Sequence, residues 1–257
     1  MLLFSIALHI SAIAMTLVEP SLWRWMLGAI VANHALLTAL AMQPRGRLLG
    51  PNLSRLPVAA TRRREIALTI DDGPDPEVTP SVLDILDAHG AKATFFCIAN
   101  RVVAHPALSR EIVSRGHAIE NHTDRHSWHF AFHGIGGMTR ELVDAQRAIA
   151  LVTGSEPLFF RAPAGVRSPL LDPALRRVGL RLASWTRRAF DTVNGNPQSV
   201  LDRLQRRLAS GDILLLHDGH AARTPSGRPV IIEVLPPLLD AIRDAGLKTV
   251  TLREGVR

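Results

Sequence analysis

A regular alternation of short apolar runs with helical segments, between residues 65 and 252, constrains the fold of this 257-residue chain more than any other feature. The runs are apolar and carry β-branched and aromatic residues, as buried strands do. Several of the segments between them are followed by a glycine, which is typical of a helix C-terminus. We assign strands to seven runs: Glu65 to Ile70, Ala93 to Ile98, His117 to Glu120, Leu158 to Arg161, Leu180 to Trp185, Asp212 to His217 and Lys248 to Leu252.

Strict alternation of strands and helices implies a parallel sheet, and repeated right-handed crossovers let such a sheet curl into a barrel. We therefore predict an α/β fold, a distorted (β/α) barrel of about seven parallel strands. The Gly134-Ile135-Gly136-Gly137 stretch lacks the third glycine of a dinucleotide loop and does not follow a strand, so a Rossmann fold is disfavoured.

The first 42 residues have a different composition. Two apolar stretches, Leu2 to Val18 and Leu22 to Met42, fit two short membrane helices, each near the lower length limit for a hydrocarbon core of about 30 Å. A cleaved signal peptide is the alternative for the first stretch, but no Lys or Arg precedes it. We expect residues 1–42 to anchor the chain in the cytoplasmic membrane, with the side of the following domain left open.

Residues 43–64 connect this anchor to the barrel domain, residues 65–257, and contain Pro, Gly, Asn and six arginines: Arg45, Arg47, Arg55, Arg62, Arg63 and Arg64. The segment is interpreted as a basic linker, either a solvated tether or a stretch lying on anionic lipid headgroups.

Composition excludes some functions. The net charge of +7 is carried by dispersed arginines, and the chain has no Tyr and few other aromatic residues to stack on bases, so no nucleic-acid partner is expected. The one cysteine, Cys97, forms no internal disulfide. Nothing in the sequence indicates the oligomeric state.

Two adjacent carboxylates, Asp71 and Asp72, follow the first predicted strand at a Gly-Pro turn. Repulsion disfavours ionising both unless a cation or hydrogen-bond donors compensate, which indicates a metal site. The alternative is that the pair only caps the turn. Other polar residues also fall at predicted strand ends, where a parallel barrel gathers its functional groups: His122, Arg161, Asp191 and His217.

His122 and His126 are spaced i and i+4, so on a helical turn both imidazoles would project from one face. With one carboxylate they make a 2-His-1-carboxylate site. The pair His122 and Asp124 keeps open a non-haem iron oxygenase, although strand–helix alternation argues against the all-β fold of such enzymes.

Four ordered motifs carry a family resemblance: Thr69-Ile70-Asp71-Asp72-Gly73-Pro74, Asn121-His122-Thr123-Asp124-Arg125-His126, Arg161-Ala162-Pro163-Ala164-Gly165 and Leu214-Leu215-Leu216-His217-Asp218. Together they resemble the polysaccharide deacetylases with a NodB-type domain. The resemblance implies metal-dependent hydrolysis of an N-acetyl group on an amino sugar. By motif position it implies that Asp72, His122 and His126 bind the metal, that Asp71 is the base and that His217 is the acid.

The chemistry of these residue types agrees with those roles. A divalent metal polarises an amide carbonyl and lowers the pKa of water; we expect zinc first, with cobalt, nickel or manganese as alternatives. Arg161 can hold Asp71 ionised, and the resemblance places Asp191 where it orients Arg161 or tunes His217. Trp185 and Leu215 either wall a pocket for the acetyl methyl or belong to the core.

Three positions depart from the family pattern. Ala164 stands where the family usually has an aromatic residue, so we expect it to line a roomier substrate groove. Arg188 stands where the family has an acidic residue, and Thr192 stands where the family often has a Trp. The expected partners are an N-acetylated glycan or a lipid-linked amino sugar, and the membrane. A non-catalytic carbohydrate-binding protein remains a further alternative.

Overall fold

The computed structural model describes residues 1–257, which form eleven α-helices and eight β-strands. Helices α1 to α11 span Leu2–Val18, Trp23–Ala41, Val58–Arg62, Thr79–Ala88, Ala99–Ala104, Pro106–Ser114, Ile135–Thr153, Leu171–Val178, Pro197–Gln205, Val230–Asp244 and Leu252–Gly255. Strands β1 to β8 span Glu65–Asp71, Thr94–Cys97, Ala118–Asn121, Phe159–Phe160, Arg181–Leu182, Arg187–Arg188, Ile213–His217 and Lys248–Val250.

The strands form one sheet in the order β5-β4-β3-β2-β1-β7-β6, and every strand pair in it is parallel. Strand β8 pairs with the first half of β1, and β2 pairs with its second half. No pairing joins β5 to β6, so the barrel is open there. The predicted distorted barrel of parallel strands is confirmed, and the short strand β6 is an addition to it.

Strand β1 shows how the barrel positions its polar groups. Ile66, Leu68 and Ile70 pack in the large apolar cluster beneath the helices, whereas Ala67 packs in a separate interior cluster. Because side chains alternate along a strand, Asp71 projects to the same face as Ala67. Strand β7 repeats the arrangement, with Leu215 in the interior cluster and His217 two residues further on. Period-two alternation thus aims the last residue of each strand into the mouth.

The predicted linker packs on the barrel. Leu53 forms a parallel bridge with Ala183 at the open edge, and Leu56 and Ala60 are buried in the interior cluster. Arg55 makes an ion pair of 2.8 Å with the buried Asp212. The segment therefore closes part of the barrel instead of trailing in solvent, because its apolar residues and arginines both find partners there.

Helices α1 and α2 form a hairpin at the N-terminus and expose most of their large apolar side chains. The stretch Pro20–Ala41, with 22 residues and a mean hydropathy of 1.2, is long and apolar enough to span a membrane. The first helix, Leu2–Val18, is also apolar but shorter. The N-terminal region thus contains one helix that meets the requirements of a membrane span.

Candidate active site

The carboxyl ends of the strands meet at a cleft of ≈ 330 Å³. Asp71 and His217 end β1 and β7, where they are register partners, and Asp191 follows β6. His122 and Arg161 directly follow β3 and β4. The cleft is lined by Asp71, Asp72, His122, His126, Ala162, Ala164, Gly165, Trp185, Arg188, Thr192, Leu215, His217 and His220. The structure therefore brings together the residues that the sequence placed at strand ends.

Asp72, His122 and His126 form one cluster of possible metal ligands, with donor atoms within 4.8 Å of one another. The Oδ1 atom of Asp72 lies 3.2 Å from His122 Nε2 and 3.3 Å from His126 Nε2. Asp72 and His122 are buried, whereas His126 is partly exposed toward the cleft. The three donors therefore surround a point that is open to the cleft on one side.

The prediction that His122 and His126 share a helical turn is wrong. The segment between them is irregular, with left-handed backbone at Thr123 (φ 69°) and His126 (φ 53°). The side chain of Thr123 accepts a hydrogen bond of 2.8 Å from the His126 N–H and fixes the turn. The two imidazoles converge because of this turn. The i, i+4 spacing therefore predicts that His122 and His126 lie together, but it predicts a helix where the chain forms an irregular turn.

Hydrogen bonds orient the ligand atoms. His122 Nδ1–H donates to the Arg161 carbonyl oxygen at 2.8 Å, which leaves the Nε2 lone pair facing Asp72. Burial, the main cause, lowers the pKa of His126 to about 4, so this imidazole is neutral at physiological pH. Burial opposes ionisation of Asp72, but the neighbouring imidazoles of His122 and His220 outweigh burial and hold the pKa of Asp72 well below its ordinary value.

One buried atom shows whether this cluster fits a cation. Asp72 Oδ1 is buried and has no hydrogen-bond donor within the protein. An unpartnered buried carboxylate oxygen is costly, whereas a metal ion beside two imidazole nitrogens would satisfy it. The donor set of two imidazole nitrogens and one carboxylate oxygen is one that binds divalent transition metals. The residues present therefore form a possible divalent-metal site.

Asp71 is held by Arg161. The guanidinium Nη1 donates to Asp71 Oδ1 at 2.6 Å and to Thr69 Oγ1 at 2.8 Å. Arg161 is 1% exposed, and its guanidinium carbon lies 4.0 Å from the centre of the Phe96 ring. The other oxygen of Asp71, Oδ2, lies 3.9 Å from His122 Nε2. Asp71 is therefore fixed by one oxygen and presents the other to the possible metal site.

Asp191 contacts His217. Of the two roles expected for Asp191, orienting Arg161 or tuning the pKa of His217, the structure favours the second. His217 Nδ1–H donates to Asp191 Oδ1 at 2.9 Å, and the His217 backbone N–H donates to Oδ2 at 2.7 Å. Burial lowers the pKa of His217, but the hydrogen bond and charge of Asp191 outweigh burial and raise this pKa above its ordinary value. The imidazole is thus biased toward its protonated form, with Nε2 as its free nitrogen.

Sequence reasoning missed His220, which follows β7. His220 Nδ1 lies 3.0 Å from Asp72 Oδ2, and its Nε2 lies 3.4 Å from Arg101 Nη2 on α5. Because Arg101 can only donate, Nε2 accepts and Nδ1–H donates to Asp72. His220 therefore fixes one oxygen of Asp72 and leaves Oδ1 for a cation.

The walls of the cleft include the three residues proposed to contact substrate. Trp185 and Leu215 are buried and belong to the interior cluster, so they serve as both core and wall. Ala164 is exposed in a 3₁₀ turn, Pro163–Gly165, and has left-handed backbone (φ 53°). Its N–H has no acceptor within the protein. The turn thus presents a free backbone donor to the cleft.

The cleft of this parallel barrel holds a cluster of two histidines and one carboxylate, and beside it lie an Asp–Arg pair and a His–Asp pair. This combination is typical of a metal-dependent hydrolase. Residues 59–183 match the family model described as polysaccharide deacetylase. The chain is 33% identical over 194 residues to a peptidoglycan-N-acetylglucosamine deacetylase of Bacillus cereus, covering 75% of this chain and 88% of the relative. It is 32% identical over 200 residues to a chitooligosaccharide deacetylase of Sinorhizobium fredii, covering 76% of this chain and 93% of the relative.

The fold is similar to that of a solved peptidoglycan N-acetylglucosamine deacetylase, with a TM-score of 0.71 and 25% identity, covering 80% of this chain and 92% of that chain. The chain therefore belongs to the polysaccharide deacetylase family and is a hydrolase of the carbohydrate N-deacetylase class. Family membership decides against the iron oxygenase, and the enzymatic activities named for both relatives favour an enzyme over a non-catalytic binding protein.

Proposed function

We propose that this chain removes the acetyl group from an N-acetylated amino sugar, with Asp71 as base and His217 as acid beside a metal held by Asp72, His122 and His126. The observation that carries the proposal is the environment of Asp71. Arg161 occupies Oδ1 at 2.6 Å, and Oδ2 remains free 3.9 Å from His122 Nε2. A carboxylate fixed beside the ligands, but not needed as one of them, suits a base.

Amide hydrolysis requires a proton to leave the attacking water and a proton to reach the departing nitrogen. When bound, a divalent ion at this site supplies Lewis acidity, which polarises the amide carbonyl and lowers the pKa of water. Asp71 Oδ2 accepts the proton of the water. Protonated His217 donates from Nε2 to the amine nitrogen, which would otherwise be a very poor leaving group. The products are acetate and the free amine.

Two features of the cleft support productive binding of the acyl group. The free N–H of Ala164 is available to donate to the carbonyl oxygen as negative charge develops there, an interaction that contributes roughly 3 kcal/mol in comparable sites. Trp185 and Leu215 offer an apolar wall for the acetyl methyl. Both features support a binding mode with the amide carbon near Asp71 and His217.

The ligand set supports zinc as the metal, because two imidazoles and one carboxylate are a frequent catalytic zinc set. Cobalt, nickel or manganese binds similar donors and would support turnover to different extents. The names of the two relatives give peptidoglycan N-acetylglucosamine and chitooligosaccharides as their substrates. An N-acetylated glycan or a lipid-linked amino sugar is therefore the proposed substrate class.

The chain is proposed to work at the cytoplasmic membrane. Residues 1–42 would be the anchor, residues 43–64 a basic connection and residues 65–257 the catalytic domain. The exposed apolar faces of α1 and α2 support this arrangement, since the apolar side chains would otherwise face water. Of the six arginines after α2, Arg45 and Arg47 follow that helix most closely and are exposed, and these two would lie near the headgroups.

Acetate release from a panel of substrates tests the proposal. The full chain is purified in detergent, stripped of metal and assayed with zinc, cobalt, nickel or manganese on chitooligosaccharides, peptidoglycan fragments and lipid-linked N-acetylglucosamine. Metal-dependent acetate release from at least one substrate is expected. Metal-independent release, or no release from any N-acetylated sugar with any metal, would overturn it.

A further inference from the structure

A second groove, of ≈ 810 Å³, adjoins the active-site cleft and shares part of its wall. Ala164, Trp185 and Arg188 line both spaces. Ala164 at this shared wall has a small side chain and occupies less space than an aromatic residue would. The groove is lined by Met42, Gln43, Pro44, Arg45, Gly46, Ala164, Trp185, Thr186, Arg188 and Phe190.

The far end of this groove lies directly after the apolar helix α2. The backbone N–H of Arg167 donates to the Ala41 carbonyl oxygen, the last residue of α2, at 3.1 Å. Arg45 Nη1 donates to the Thr186 carbonyl oxygen at 3.2 Å, and Asn52 Nδ2 donates to the Pro44 carbonyl oxygen at 2.8 Å. These contacts tie the end of α2 to the barrel, so the groove leads from the cleft to the exit of that helix.

Arg188, which lines both the cleft and the groove, has no anionic partner. Its Nε atom is buried without a hydrogen-bond acceptor, and no ion pair of the protein includes Arg188. Its guanidinium carbon lies 5.4 Å from the centre of the Trp185 ring and 5.0 Å from that of Phe190. The neighbouring Arg187, in contrast, makes an ion pair of 2.6 Å with Asp212.

A partly desolvated arginine between two aromatic rings needs an acceptor, and no acidic side chain lines the groove. A ligand that enters the groove can supply this acceptor. A guanidinium binds phosphate oxygens through two parallel N–H donors, and Arg45 adds a second positive charge at the end of the groove nearest α2.

We propose that the substrate is an N-acetylated amino sugar joined through phosphate to a membrane lipid. The phosphate would bind at Arg188, and the lipid chain would extend along the groove toward α2. This inference rests on the proposed deacetylase function and names its substrate class. A substrate held in the membrane would reach the cleft from the end of α2, and its anionic link would pass Arg188 on the way.

The test compares three N-acetylglucosamine substrates with the full chain in nanodiscs: a polyprenyl phosphate-linked sugar, the water-soluble N-acetylglucosamine 1-phosphate and a neutral chitooligosaccharide. For Arg188→Ala, kcat/KM on the lipid-linked phosphate substrate is expected to fall roughly 10- to 100-fold more than on the neutral one. Arg188→Lys should restore part of the loss, since Lys keeps the charge but not the two parallel donors. Arg110→Ala, an exposed arginine on α6 outside both spaces, is the matched control and should leave all three rates unchanged.

Binding of the lipid-linked substrate is measured in parallel in the Asp71→Asn background, where turnover is absent. Arg188→Ala is expected to weaken this binding roughly tenfold or more. Equal losses on charged and neutral substrates, or unchanged binding, would overturn the role of Arg188. Equal kcat/KM values of the wild type on the soluble and the lipid-linked phosphate substrates would overturn the proposal that the substrate carries a lipid. Failure to release acetate from any substrate would instead refute the deacetylase function. In that case the binding experiment would still show whether Arg188 binds the phosphate.

Discussion

Asp191 controls the protonation of His217 through two hydrogen bonds, one to the ring and one to the backbone N–H. Because Asp191 raises the pKa of His217, the acid form should persist to higher pH, and we expect activity to fall as pH rises through that pKa. Asp191→Asn removes the negative charge, so the pKa of His217 should fall and the alkaline limb of the kcat profile should move to lower pH. We also expect kcat at neutral pH to decrease roughly tenfold or more.

Steady-state kinetics between pH 5 and pH 10 measure this limb, with Asp202→Asn, on the exposed surface of α9, as the control. The control should retain the wild-type profile. An alkaline limb that stays in place in Asp191→Asn would show that His217 is not the group titrating there, and that its assignment as acid is wrong.

At the scale of single residues, the sequence predicted the side chains that lie at strand ends, because each strand delivers its last residue to the same edge of the sheet. It did not predict His220. That imidazole reaches Asp72 across 148 positions of sequence, and Arg101 on another element sets its tautomer. A contact that depends on two loops and a helix meeting leaves no periodic signal in the chain.

At the scale of elements, the turn Pro163–Gly165 connects the cleft wall to the end of α2. Gly165 has φ 74°, and a Cβ atom there would lie 2.5 Å from Trp185 Cη2 and 2.8 Å from Pro44 Cβ. Gly165→Ala should therefore lower the free energy of unfolding by roughly 3 kcal/mol, from left-handed backbone strain and overpacking. Chemical denaturation followed by tryptophan fluorescence measures the change.

Gly136→Ala is the matched control. Gly136 lies inside α7, and a Cβ atom added there would have no other atom within 4 Å. This substitution should stabilise the protein by about 0.5–1 kcal/mol, because Ala is the better helix former. Equal effects of the two substitutions would mean that the turn is not packed as described.

Long periodic elements could be predicted from the sequence, and short ones could not. Helix α7 is readable in the sequence because its 19 residues give several turns of apolar spacing and a left-handed glycine, Gly154, ends it. Strand β6 has two residues, Arg187–Arg188, and is a strand only because it pairs with β7. The loop from His122 to His126 was mistaken for a helical turn because spacing does not reveal left-handed backbone.

At the scale of the whole molecule, the N-terminal hairpin and the arginines after it determine the expected orientation. If both helices of the hairpin span the membrane, as the sequence predicts, both termini lie on one side, and positive charges favour the cytoplasmic side for residues 45–64. A C-terminal fluorescent protein that folds only in the cytoplasm should therefore be active, and a C-terminal alkaline phosphatase inactive. The opposite pattern would indicate a single span with an external catalytic domain.

The packing of residues 43–64 was not foreseen because its signal is not local. Arg64 donates to the carbonyl oxygens of Ala245 and Gly246, and Leu56 enters the barrel interior. Arginine-rich composition looks like a solvated segment until the carbonyl groups that accept its hydrogen bonds are known. The family model also begins at residue 59, before the first strand.

The central claim is that Asp71 acts as the base beside a metal that it does not bind. One measurement tests it most directly: acetate release and bound metal, determined on the same sample of Asp71→Asn and of wild type. We predict that Asp71→Asn retains stoichiometric metal and loses acetate release by at least about 10²-fold. His122→Ala should lose the metal and the activity together. Wild-type acetate release by Asp71→Asn, or loss of its metal, would contradict the account.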